Sequence, residues 1–127
     1  MPLKILIADD VVDTTTLLTV LLKRLGHSVH TANDGEEALE LAQLIRPDVL
    51  LMDIGMPRKN GYEVAEAIRA EDWGHEISLI ALSGQIEPET QARARQAGFD
   101  TFLLKPVDVD ALRAALGSIP GRGATAG

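Results

Sequence analysis

Residues 49 to 61 read Val49-Leu50-Leu51-Met52-Asp53-Ile54-Gly55-Met56-Pro57-Arg58-Lys59-Asn60-Gly61, and the first half of that stretch decides the fold. Val49 to Met52 is an unbroken apolar run. A run this short, with no polar alternation, is what a strand buried on both faces looks like, and such strands belong to parallel sheets covered by helices. It stops at a carboxylate, Asp53, and the glycines, proline and asparagine behind it are loop chemistry.

Toward the N-terminus the pattern recurs. Lys4-Ile5-Leu6-Ile7-Ala8 is a second apolar run, bounded by Pro2 and by the acidic pair Asp9-Asp10. Leu18, Leu21, Leu22 and Leu25 then return at helical spacing with Gly26 as a stop, which predicts an amphipathic helix from about Thr14 to Leu25, capped by Asp13. Ser28 to Ala32 reads as a weaker strand. Asp34, with Glu37 three residues on, has the form of a capping box that opens a helix carrying Ala38, Leu41, Ala42 and Ile45, and Pro47 ends it.

Toward the C-terminus the alternation continues. A helix is expected from about Tyr62 to Ala70, and a strand from Ile77 to Leu82 that ends at Ser83-Gly84. Pro88 opens the next helix and Gly98 closes it. Thr101 to Leu104 reads as a strand ending at Lys105-Pro106, and Asp108 caps a last helix with Ala111, Leu112, Ala115 and Leu116 as its apolar face. Strict alternation predicts one α/β domain, a doubly wound five-stranded parallel sheet with five helices on its two faces. That domain covers residues 1–117, and the Gly- and Ala-rich residues 118–127 read as a flexible tail or linker.

Composition narrows the function. A chain of 127 residues with 46% hydrophobic and 24% charged residues has ordinary globular composition, so a single self-folding domain is expected. A net charge of -7 argues against a nucleic-acid partner, because binding a phosphate backbone needs Lys and Arg to displace counterions. Without cysteine there is no disulfide framework, no thiolate zinc site and no thiol nucleophile. No apolar run approaches bilayer length, and Met1 leads directly into the first strand. The expectation is a cytoplasmic protein that touches neither membrane nor nucleic acid.

In an open parallel sheet, ligands bind beyond the carboxyl ends of the strands. The polar residues of interest fall at those ends: Asp9 and Asp10 after the first strand, Asp53 after the third, Ser83 after the fourth and Lys105 after the fifth. Three converging carboxylates repel one another unless a cation neutralises them. A donor set of oxygens alone suits a hard divalent ion, Mg²⁺, with Mn²⁺ as a substitute. Lys105 adds a positive point charge and Ser83 a hydroxyl donor, a combination suited to phosphoryl oxygens. Each residue alone has a plainer reading: a strand end ahead of a helix for Asp9-Asp10, a turn for Ser83-Gly84, a solvated charge for Lys105. Their shared placement makes the case for a site. His27, His30 and His75 have no metal-site spacing and read as surface residues, while Tyr62 and Trp73 read as local packing.

On Asp9-Asp10, Met52-Asp53-Ile54-Gly55-Met56-Pro57 with Asn60-Gly61, Ala81-Leu82-Ser83-Gly84 and Phe102-Leu103-Leu104-Lys105-Pro106, the chain resembles a response-regulator receiver domain of two-component signalling, of the chemotaxis type, over residues 3 to 117. The resemblance implies the flavodoxin-like strand order 2-1-3-4-5. It implies that Asp53 is a phosphoacceptor, served by a histidine kinase or a phosphotransfer protein. It further implies Mg²⁺ held by Asp10, Asp53 and the Gly55 carbonyl, with Asp9 bound directly or through water. Ser83 and Lys105 would hold phosphoryl oxygens, Lys105-Pro106 would be a cis peptide, and Gly55 and Gln85 would influence autodephosphorylation. Ser83 and Phe102 would form a switch remodelling the surface of the fourth helix, fifth strand and fifth helix.

Such a domain is no turnover enzyme and needs no organic cofactor. Its output passes to a downstream protein or to an output domain elsewhere, and it is a monomer or a phosphorylation-dependent dimer. A metal-dependent phosphatase of similar fold is the alternative, but that class usually has a second Asp two residues after the nucleophile, where this chain has Gly55. A flavodoxin-like cofactor carrier is disfavoured by Asp9-Asp10, which would repel an anion, and a pseudo-receiver by the intact set of polar residues. Lys105-Pro106-Val107-Asp108 with Asp110-Ala111-Leu112 resembles receivers of hybrid histidine kinases, whereas Met1 just before the first strand suits a stand-alone module.

Overall fold

The computed structural model describes residues 2–55, 60–84 and 87–117. Five strands, β1 (Lys4–Ala8), β2 (Ser28–Ala32), β3 (Val49–Asp53), β4 (Ser78–Ser83) and β5 (Thr101–Leu104), alternate with five helices, α1 (Val12–Arg24), α2 (Gly35–Ile45), α3 (Gly61–Arg69), α4 (Pro88–Ala97) and α5 (Val109–Gly117). All strand pairs are parallel, in the order β2-β1-β3-β4-β5. The expected fold class and strand order therefore stand.

Alternation along each strand sends successive side chains to opposite faces. Ile5, Ile7, Val49, Leu51, Ile80 and Leu82 pack with Leu18 and Leu22 of α1 and Leu112 and Leu116 of α5. Leu6, Leu50, Met52 and Leu79 pack on the other side with Ala38 and Ala42 of α2, Val64 and Ile68 of α3 and Ala94 of α4. Burial on both faces explains why β3 shows no polar residue before Asp53.

Several local expectations are corrected. The first helix begins at Val12, two residues before the expected Thr14, with Val11 as its unassisted N-cap. Asp13 is therefore an acidic residue of the first turn and not the cap, and the Val11 N–H is taken instead by Asp9 Oδ1 at 2.9 Å. At α2 the Asp34 side chain caps the Glu37 N–H as expected, but Glu37 reaches back to the Asn33 N–H at 2.6 Å and not to Asp34, so the box closes one residue early. The reciprocal box belongs to α3, where Asn60 caps the Glu63 N–H and Glu63 returns to the Asn60 N–H.

Two further features lie outside the sequence reading. A short 3-10 helix, Asp72–Glu76, links α3 to β4. His27 is not a plain surface residue: its Nδ1 accepts the Leu3 N–H at 3.0 Å, and burial lowers its pKa from the ordinary 6.5. His30 and His75 are exposed, as expected. Trp73 and Tyr62 pack against the α2–α3–α4 core, with Arg46 over the Trp73 ring and Arg93 over the Tyr62 ring. Among the described residues no helix is long and apolar enough to cross a membrane. The expected tail, residues 118–127, lies outside the described residues.

Candidate functional site

Because all strands run the same way, their carboxyl ends share one rim, and the register sets Ala8 beside Met52, Asp53 beside Leu82, and Ser83 beside Leu104. The residues immediately after these positions meet there. Asp9 is fully buried. Its backbone N–H extends the pairing to the Ala32 carbonyl, and its Oδ1 is spent on the Val11 N–H. Its Oδ2 lies 2.7 Å from Lys105 Nζ, and no other group among the described residues satisfies that atom.

Asp53 closes β3 with its side chain 15% exposed, which leaves the carboxylate reachable from solvent. Its Oδ1 accepts the Gly55 N–H at 3.0 Å, and its Oδ2 lies 3.2 Å from the same Lys105 ammonium. Asp10 is exposed on the rim. One carboxylate oxygen each from Asp9, Asp10 and Asp53 lies within 4.8 Å of the other two.

Burial pushes the Asp9 carboxyl above the ordinary carboxylate value; the Lys105 ammonium and the Val11 N–H pull against the rise, and the Asp53 charge adds to it. For Lys105, burial works toward a lower value, but the contact with Asp9 and the carboxylate charges outweigh it and hold the ammonium above the ordinary lysine value. One ammonium thus stands against three carboxylates. An under-coordinated buried oxygen, an excess of negative charge and a donor set of oxygens alone fit a hard divalent cation such as Mg²⁺.

Ser83 ends β4, buried, and shares a cleft of about 470 Å³ with Asp53, Gly55, Tyr62, Glu89 and Arg93. Lys105 lines a separate hollow with Thr14, Leu17 and Pro106. The Lys105 N–H donates to the Ser83 carbonyl at 2.7 Å, which ties the ends of β4 and β5 together, and the Lys105–Pro106 peptide is cis. The five strand-end residues singled out from the sequence are thereby gathered at one rim.

Phe102 stands apart from that group. It is half-buried, pairs with Ala81 and not with Ser83, and faces a groove of about 300 Å³ between α4 and β5. Gln85 lies outside the described residues. Sequence reading missed Arg93, whose guanidinium lies 4.1 Å from the Tyr62 ring centroid on the wall of the Asp53 cleft. Nothing local to Arg93 signals this, since its partner comes from another helix.

Comparison with known proteins agrees with the geometry. The family model described as the response regulator receiver domain matches residues 5–117. The transcriptional regulatory protein PdtaR of Mycobacterium tuberculosis is 35% identical over 116 residues, covering 91% of this chain and 55% of that protein. The CAI-1 autoinducer sensor kinase/phosphatase CqsS of Vibrio cholerae is 36% identical over 110 residues, covering 86% of this chain and 16% of that protein. Over the first such relatives the chain spans between 16% and 47% of their length.

Among solved structures, the Vibrio cholerae chemotaxis response regulator CheY4 superposes with a TM-score of 0.88 at 29% identity, covering 94% of this chain and 99% of that one. The receiver domain of the sensor histidine kinase PA1611 from Pseudomonas aeruginosa PAO1, solved with a magnesium ion coordinated in its active site cleft, superposes with a TM-score of 0.86 at 29% identity, covering 94% and 98%. A family match across nearly the whole sheet, joined to that rim, places the chain: it belongs to the response regulator receiver domain family of two-component signalling.

Proposed function

We propose that Asp53 accepts a phosphoryl group from the phosphohistidine of a histidine kinase or phosphotransfer protein, and that the chain later hydrolyses the acyl phosphate itself. The observation that carries this reading is the half-open Asp53 carboxylate, set between a cleft on one side and the Lys105 ammonium at 3.2 Å on the other. A fully buried carboxylate could not reach phosphorus, and a fully solvated one would lack the fixed charges around it.

Asp10, Asp53 and the Gly55 carbonyl would hold Mg²⁺, with Asp9 bound directly or through water. When bound, the ion supplies positive charge against the phosphoryl oxygens. The Gly55 N–H on Asp53 Oδ1 orients the carboxylate. A carboxylate oxygen of Asp53 forms the new bond to phosphorus, the phosphorus–nitrogen bond breaks, and its electron pair stays on the imidazole, which leaves neutral when its other nitrogen carries a proton. Ser83 and Lys105 hold the phosphoryl oxygens, by hydroxyl donation and by charge. In hydrolysis a water oxygen bonds to phosphorus, the bond from phosphorus to the Asp53 oxygen breaks, and inorganic phosphate leaves with the carboxylate restored.

The reading extends to a switch at Ser83 and Phe102 that remodels the surface of α4, β5 and α5, and to a cytoplasmic module whose partners are a kinase or phosphotransfer protein upstream and another protein or domain downstream. Gly55, where a phosphatase would use a second carboxylate, supports slow self-hydrolysis over turnover on external phosphomonoesters.

Incubating the chain with Mg²⁺ and acetyl phosphate or beryllofluoride tests the reading by intact mass. One phosphoryl group or one beryllofluoride adduct per chain, absent in Asp53→Asn and absent after chelation, is the expected result. Multiple turnover on phosphomonoesters would instead support the phosphatase, and no adduct under any condition would leave a module acting by protein contacts alone.

A further inference from the structure

We propose that Arg93, held over the Tyr62 ring, is the residue that recruits anionic low-molecular-weight phosphodonors into the Asp53 cleft. This rests on Asp53 being the phosphoacceptor and adds a specificity-determining residue to that site.

An anionic donor meets an unfavourable field, because the chain carries a net charge of -7 and the rim holds Asp9, Asp10 and Asp53. The ammonium of Lys105 is drawn toward Asp9 at 2.7 Å and Asp53 at 3.2 Å and does not line the cleft by which a donor enters. Among the described residues lining the cleft, Arg93 is the one cation, and Glu89 and Asp53 are the anions it faces.

The geometry of Arg93 suits capture of an anion. Glu89 precedes it by one helical turn on α4, the spacing and orientation that normally form a surface ion pair. Among the described residues no ion pair joins them, and the guanidinium rests instead 4.1 Å from the Tyr62 centroid. A guanidinium held over an aromatic face keeps N–H groups that are not spent on a carboxylate, and such groups bind phosphate oxygens two at a time. Tyr62 is anchored in turn, half-buried against the α2–α3–α4 core at the start of α3. The cation is thus pre-positioned on the wall of the same cleft as Asp53.

The step it serves balances without further reactants. With acetyl phosphate, a carboxylate oxygen of Asp53 bonds to phosphorus, the phosphorus–oxygen bond to the acetyl group breaks, and acetate leaves with the electron pair. Arg93 takes no part in bond making. It raises the occupancy of the cleft by the donor, so its effect is on the second-order rate constant at low donor concentration.

The test follows phosphorylation of Asp53 by acetyl phosphate at fixed free Mg²⁺ across a series of ionic strengths. In the native chain the rate constant is expected to fall as salt rises, as it does when a local cation attracts an anion; repulsion by the overall charge alone would make it rise. Arg93→Ala is expected to lower the low-salt rate constant by about threefold to tenfold and to flatten or invert the salt slope, and Arg93→Lys to restore much of both. A native rate constant that rises with salt, or Arg93→Ala and Arg93→Lys equal to the native chain in rate and slope, would overturn the proposal. Equal losses in both variants with the native slope retained would also overturn it, since that pattern reports a structural role. If the native chain takes no phosphoryl group at all, the failure lies with Asp53 as acceptor and not with Arg93.

Discussion

Lys105 is asked to neutralise more carboxylate than one ammonium can, and its two contacts at 2.7 and 3.2 Å leave Asp10 and half of the charge on its neighbours uncompensated. A divalent cation binding the folded rim but not the unfolded chain raises stability by mass action, by about 1–3 kcal/mol when its concentration stands well above its dissociation constant. Thermal melts should show Mg²⁺ raising the Tm of the native chain, chelation reversing the shift, and Asp9→Asn losing most of it; an identical Mg²⁺ shift in that variant would remove Asp9 from the metal's surroundings. His27 carries the pH dependence of a different region. Its folded pKa is lowered by burial, so between that value and 6.5 the unfolded chain binds the extra proton first. Its contribution is therefore complete above about 6.5 and is lost as the pH falls through the lowered folded value. In His27→Gln the stability gap to the native chain, read from urea midpoints, should shrink between pH 7.5 and 5; a constant gap would show that protonation is not what matters there. The residues at strand ends were legible in the sequence because each stops an apolar run. His27 and Arg93 were not, since their roles depend on Leu3 and Tyr62, partners far along the chain.

Helix starts show the same division between what is local and what is not. Asn60 and Glu63 close a complete capping box on α3, while Asp13 merely lies in the first turn of α1. Asn60→Ala should therefore cost about 1–2 kcal/mol, and Asp13→Ala, which loses only a favourable charge near the helix N-terminus, about 0.3–1 kcal/mol. Chemical denaturation of the two variants checks the ranking, and an Asp13 cost equal to or above that of Asn60 would contradict the observed caps. Asp13 reads as a cap in the sequence, but Asp9, four residues upstream, takes the Val11 N–H and α1 begins without a side-chain cap. The 3-10 helix was illegible for a related reason. It is held by Arg69 of α3, whose guanidinium donates to the carbonyls of Gly74, Ile77 and Gly98 and pairs with Asp100 at 2.8 Å. No window of sequence around Asp72 contains that arginine's other partners. Gly98 was legible as a stop, and its φ of +116° with Arg69 Cγ 2.6 Å from any added Cβ shows why glycine is required there.

At the scale of the molecule, the sheet is one layer shared by two cores. Leu50 and Leu51 are adjacent, both fully buried, and point to opposite sides, Leu50 toward α2, α3 and α4 and Leu51 toward α1 and α5. Neither core can exist without the sheet, so loss of one face exposes apolar surface of strands that also build the other. Unfolding should accordingly be a single transition, as is usual for domains of this size. Leu50→Ala and Leu51→Ala should each cost about 2–5 kcal/mol. More tellingly, both should lower the same transition, seen at the same midpoint by far-UV circular dichroism and by the fluorescence of Trp73, which packs on the Leu50 side alone. If Leu51→Ala shifted the dichroism midpoint and left the Trp73 midpoint where it was, the faces would be melting separately. A coherent melt matters for signalling, because Ser83 and Lys105 are joined across β4 and β5 by a backbone hydrogen bond of 2.7 Å while their strands carry side chains into both cores. A change at the rim can then bias the packing of both faces only through a sheet that holds together as one unit.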